Sequence, residues 1–79
     1  MTDTEFKVFP NPTSDVLYFN IDNSTDYESV IYNLNGQELL KTRNTNQLNV
    51  KALNSGVYII IVNDITNRRF HTEKIIKTN

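Results

Sequence analysis

One histidine, no cysteine and nine carboxylates limit the catalytic or metal chemistry open to these 79 residues. His71 stands in "RFHTEKIIK" beside Thr72 and Glu73, a base next to a hydroxyl and a carboxylate. Nucleophilic catalysis needs more than that: a nucleophile within reach of the base, and a third group that orients the base. With no cysteine and no second histidine, no triad assembles around His71, and the residue reads as a half-exposed strand histidine. The loop "DNSTDYE", residues 22–28, offers oxygens from Asp22, Ser24 and Asp26 in partial imitation of a calcium loop. Such a loop needs a glycine at its sixth place and a bidentate glutamate at its twelfth, where this chain has Tyr27 and Asn33. A solvated connection between strands is the better reading. Asn23-Ser24-Thr25 matches a glycosylation acceptor, a tripeptide common by chance. The expectation is a domain that is not an enzyme and carries no metal or cofactor.

Sugar binding is the other chemistry to weigh. A carbohydrate-binding or adhesive module presents a platform of exposed aromatic rings, and the candidates are Tyr18, Tyr27 and Tyr32, with no tryptophan among them. They come from a strand, a loop and another strand, so this remains the alternative function. Nucleic acid is not indicated, because eight basic residues are interspersed with nine acidic ones for a net charge of −1. Membrane insertion is not indicated either. The longest apolar run, VYIIIV at residues 57–62, is far short of the roughly 20 residues of a membrane helix. Met1 precedes polar TDTE rather than an apolar leader, which is also what a C-terminal piece of an exported protein would show.

The elements that must position any site are strands. Eight Ile and six Val against a single alanine favour pleated surfaces over helices. Twelve asparagines punctuate the apolar runs where turns are needed. "EFKVF" reads as a first, edge strand with Phe6 and Val8 on one face, ended by the prolines of FPNP. "VLYFNI" turns Leu17, Phe19 and Ile21 to the core. "ESVIYNL" leaves its facing open, because Val30 and Tyr32 oppose Ile31 and all three are apolar. Asn35-Gly36 predicts a hairpin into "QELLKT". "QLNV" aligns Leu48 with Val50, "VYIIIVN" is apolar on both faces as a central strand should be, and "RRFHTEKIIK" closes the chain. Seven short strands predict an all-β, seven-stranded antiparallel β-sandwich of immunoglobulin-like type. The chain reads as one domain over residues 1–79, with 1–5 as linker.

Four motifs now stand in register: Pro10, Asn11 and Pro12; Gly36; Leu48, Val50, Leu53, Gly56 and Tyr58; and Lys74, Ile75, Ile76 and Lys77. In this order they resemble the C-terminal sorting domain of type IX (Por) secretion, type A, over residues 6–77. That family shows a PNP motif after a short first strand, a strand pair joined by a glycine turn, a Leu-x-x-Gly-x-Tyr pattern, and a closing lysine with branched aliphatics. The chain departs from the family's habit at Ile61, where a charged residue is frequent, and at Ser29, where an aliphatic is frequent.

The resemblance implies a passive export tag. It would follow an upstream passenger domain, be read by the outer-membrane translocon of type IX secretion, and be removed by a sortase-like peptidase at the surface. The protein would then be secreted or cell-surface, reached through the periplasm and outer membrane. Each motif also has a folding reason: PNP breaks a ladder, the glycines permit tight backbone, Leu53 plugs the core, and Tyr58 has an apolar body with a polar tip. The elbow is expected to swing the chain from one sheet edge to the next pairing. Recognition falls to Lys74, Ile75, Ile76 and Lys77, in a last strand expected to be loosely held and accessible. An outward Ile61 would leave an apolar patch and a tendency to self-associate.

Overall fold

A computed structural model of the chain describes residues 6–21 and 24–79. The linker at 1–5 lies outside the described residues, as do Asp22 and Asn23, on which the calcium and glycosylation readings rest. The strands are β1 (Val8–Phe9), β2 (Val16–Phe19), β3 (Tyr27–Tyr32), β4 (Glu38–Arg43), β5 (Gln47–Asn49), β6 (Gly56–Asp64) and β7 (Arg69–Lys77). They form a three-stranded sheet ordered β1-β2-β5 and a four-stranded sheet ordered β4-β3-β6-β7. All neighbouring strands pair antiparallel, the all-β sandwich that the strand pattern predicts.

The core lies between the sheets and follows the period of two. Leu17, Phe19, Leu48 and Val50 come from the smaller sheet and its extension; Tyr27, Ile31, Tyr58, Ile60, Val62 and Ile75 come from the larger. Phe19 meets Tyr27 edge-on across the gap, with ring centroids 5.8 Å apart. Full burial of a side chain such as Leu17 or Phe19 contributes about 1.5–3 kcal/mol. Central placement of β6 follows from the same arithmetic: Tyr58, Ile60 and Val62 fill the core while Ile59 and Ile61 lie half-buried on the outer face.

Three local expectations change. β1 is Val8–Phe9: of the five residues expected, Phe6 and Lys7 fall outside it, the Lys7 amide being taken by the Asn20 side chain while the Asn20 amide donates to the Lys7 carbonyl, and Glu5 lies outside the described residues. The open facing of β3 resolves with Tyr27, Ser29 and Ile31 inward and Val30 and Tyr32 outward. The hairpin after β3 is a three-residue loop. Gly36 donates to the Asn33 carbonyl at 3.0 Å, and the Asn33 amide donates to Gln37 at 3.0 Å. Within it only Gly36 has positive φ, at 84°. That pattern fits a turn closed by a left-handed glycine, not a two-residue Asn-Gly turn. The register then slips past Leu39, so that Ile31 faces Leu40 but Tyr32 faces Glu38.

Candidate functional site

The proline elbow does not carry the chain to a new sheet. β1 and β2 pair with each other, Val8 opposite Phe19 and Phe9 opposite Tyr18, so the connection over residues 10–15 returns to the sheet it left. On the way it lies along the free edge of β7 in the other sheet. Asn11 Nδ2–H donates to the Lys74 carbonyl at 2.8 Å, and the Ile76 amide donates to Asn11 Oδ1 at 2.9 Å. The Thr13 amide then donates to the Ile76 carbonyl at 2.9 Å, and the Thr78 amide to the Thr13 carbonyl at 2.8 Å. Thr13 and Lys77 form a parallel bridge.

These four bonds take the edge groups of β7 in sequence. In a parallel ladder with Thr13 opposite Lys77, the residue two places earlier should bond the 74 carbonyl and the 76 amide through its own backbone. Asn11 does so through its side-chain amide, whose oxygen and NH2 reproduce the acceptor and donor of a peptide unit. The flanking prolines have no N–H to offer and stop a regular strand from forming. Both the Phe9-Pro10 and Asn11-Pro12 peptide bonds are cis. The expected loosely held last strand is therefore corrected: β7 pairs with β6 over nine positions and is closed on its other edge by residues 11–13. Thr13, 2% exposed, is the residue sequence reasoning missed. Its hydroxyl donates to the Val16 carbonyl at 2.8 Å, a local habit of threonine after turns, but nothing local signals that its backbone meets residue 77.

The closing motif divides by face. Lys74 and Ile76 point outward and are exposed; Ile75 and Lys77 point inward and are buried, Lys77 with its ammonium donating to the Thr78 carbonyl at 2.7 Å. Lys77 and Ile75 are thus buried in the folded domain, where the sequence led us to expect an accessible strand end.

The remaining motif residues sit at turns and core margins. Leu53 packs on the core after its amide donates to Val50, and the Tyr58 hydroxyl donates to the Asn54 carbonyl, which fastens the crossover between β5 and β6. Gly56 opens β6 at φ 153°, with open space where a Cβ would stand, so backbone angle and not crowding calls for glycine. The aromatic platform is not assembled. Tyr27 is buried in the core, Tyr18 stacks on Phe9 outside the smaller sheet, and Tyr32 lies on the outer face of the larger one. Burial also pushes the Tyr27 phenol above its ordinary value of 10.0. His71 stacks on Phe6, with centroids 4.6 Å apart and planes 11° from parallel. Its ring is part of the packing where the chain enters the fold.

A search of curated proteins returned no match. The family model for the secretion system C-terminal sorting domain matches residues 7–78, from the residue before β1 to the residue after β7. The PNP elbow, the glycine turn, the Leu-x-x-Gly-x-Tyr crossover and the closing strand all lie within that span, and the chain belongs to the family of type IX secretion C-terminal sorting domains.

Proposed function

We propose that the chain is a single, non-catalytic domain that directs a passenger fused ahead of it across the outer membrane by type IX secretion. A sortase-like peptidase then removes it at the surface, and the passenger is secreted or retained on the cell surface. The observation that carries this reading is the extent of the family match, which takes in the whole sandwich over residues 7–78. Two features support it. The lone histidine is engaged in packing against Phe6, and the motif residues Pro10, Asn11, Pro12, Gly36, Leu53, Gly56 and Tyr58 serve turns, edges and core margins. The signal on this reading is a folded shape with a few exposed groups. No helix among the described residues is long and apolar enough to cross a membrane.

A test is to fuse the chain behind a periplasm-directed reporter in a host with type IX secretion. The reporter should reach the surface or medium, and the same reporter without the domain should stay in the periplasm. Retention of a fusion whose sorting domain is folded would refute the reading.

A further inference from the structure

The hairpin between β3 and β4 holds a reactive pair that neither the core nor the sorting role uses. Of the chain's twelve asparagines, Asn35 alone is followed by glycine. Both residues are exposed at the tip of the loop. An asparagine side chain carries a carbonyl carbon that the main-chain nitrogen of the next residue can reach, and the side chain of that next residue ordinarily obstructs the approach. Gly36 has none. Nothing lies within 4 Å of where a Cβ would stand, so a ring has room to close there.

Asn33 holds the reaction back. Its Oδ1 accepts the amides of Asn35 at 2.9 Å and Gln37 at 3.0 Å, and its carbonyl accepts the Gly36 amide at 3.0 Å. The nitrogen that would have to attack is therefore turned towards Asn33 with its proton engaged. Asn33 Nδ2 donates in turn to Gln37 Oε1 at 3.1 Å, across the mouth of the loop. This is an Asx-type turn in an exposed connection, and opening it takes far less free energy than unfolding the sandwich. Each opening frees the Gly36 nitrogen and lets the main chain of Asn35 rotate.

We propose that Asn35-Gly36 is a site of spontaneous deamidation and isoaspartate formation, and that Asn33 sets its rate by holding the turn closed. Once the turn is open, the Gly36 nitrogen adds to the Asn35 side-chain carbonyl carbon, its proton passes through solvent to the departing amide nitrogen, and ammonia leaves. The product is a succinimide. Water then opens the ring: breaking the bond from nitrogen to the former side-chain carbon gives aspartate, and breaking the bond to the main-chain carbon gives isoaspartate. Either product puts a carboxylate where a neutral amide stood. Isoaspartate also lengthens the main chain by a carbon inside a loop whose span Asn33 fixes, which loosens the end of the ladder where Tyr32 faces Glu38.

Purified chain held at mildly alkaline pH, digested at intervals and mapped by mass spectrometry, tests this, with melting curves as the control for folding. Conversion should appear at position 35 ahead of every other asparagine, Asn54 before Ser55 included, with isoaspartate the larger product. It should run several-fold faster in folded Asn33→Ala and faster still in the denatured wild type. Native Asn35 converting no sooner than Asn54 would overturn the site. Equal rates in the wild type and folded Asn33→Ala would overturn the part given to Asn33. If Asn33→Ala does not fold, denaturant below the unfolding transition of the wild type takes its place. Conversion at position 35 should then rise in step with hydrogen exchange of the Gly36 amide, and exchange that rises without conversion would overturn control by the turn.

Discussion

Asn11 Oδ1 accepts the main-chain N–H of Ile76 at 2.9 Å, across 65 positions of sequence. The same amide donates to the Lys74 carbonyl at 2.8 Å, so one side chain fills a gap in a strand ladder that two prolines prevent the backbone from filling. Residues 11–13 are joined to residues 74–78 at this point, and the edge of β7 that would otherwise offer unpaired groups to another strand is closed over its last residues.

Replacing Asn11 with alanine removes both bonds and should cost about 1–2 kcal/mol, given about 0.5–1.5 kcal/mol for a typical hydrogen bond. Asn11→Asp should be no better, since the carboxylate keeps the acceptor for Ile76 but loses the donor and faces the Lys74 carbonyl with negative charge. Denaturant midpoints measure the loss, and amide exchange locates it. An Ile76 amide exchanging as slowly in Asn11→Ala as in the wild type would show that the side chain does not hold this edge.

Gly56→Ala tests the other kind of motif residue. Nothing stands within 4 Å of a Cβ built there, yet φ is 153°, a conformation that L side chains rarely adopt. A cost of about 1–3 kcal/mol is expected from backbone strain alone. In a domain of this size that lowers the melting temperature by at least about 4–8 °C. An unchanged melting temperature would mean that β6 can begin with ordinary extended geometry.

Local chemistry made the strands legible and long-range pairing did not. Alternation found Leu17 and Phe19, and a two-sided apolar run found the central β6, because both signals are written in neighbouring residues. β3 stayed ambiguous since its outward Val30 and Tyr32 are as apolar as its inward Ile31, and only an apolar outer face explains that. The elbow was recognisable as a break from its prolines, but its docking on β7 joins residues 11–13 to 74–78 and leaves no local trace. The same holds for Lys77: the period of two tells which residues share its side, not that its backbone meets Thr13 and its side chain is buried.

Ser29 and Thr42 face each other in the β3–β4 ladder, and their hydroxyl oxygens are buried without a hydrogen-bond partner. Removing both hydroxyls in Ser29→Ala with Thr42→Val should stabilise the fold by about 1 kcal/mol, because two desolvated and unpaired groups disappear. A fall in denaturant midpoint would show that the hydroxyls are bonded in solution.

Tyr27 gives a pH dependence. Burial raises its folded pKa above the unfolded value near 10, so the folded state holds the proton more tightly. Its contribution is complete below about pH 10 and is lost as pH rises through the folded value. Stability should therefore decline in alkali, and Tyr27→Phe should decline less. Parallel curves for the two proteins would remove Tyr27 as the cause.

The two lysines of the closing strand should behave as opposites. Lys74 is exposed on the outer face, and Lys74→Gln should change stability by less than about 0.5 kcal/mol, as surface substitutions do. Lys77 is 5% exposed, with its stem enclosed and its ammonium bonded to the Thr78 carbonyl. Lys77→Ala discards both the apolar stem and the bond and should cost about 2 kcal/mol or more, the range for emptying a buried side chain. Lys77→Met separates the two parts: it keeps most of the stem and gives up only the charge, so it should recover most of what alanine loses. Equal melting curves for wild type and Lys77→Ala would place this side chain in solvent. A Lys77→Met variant as unstable as Lys77→Ala would instead put the weight on the ammonium and its bond at the chain end.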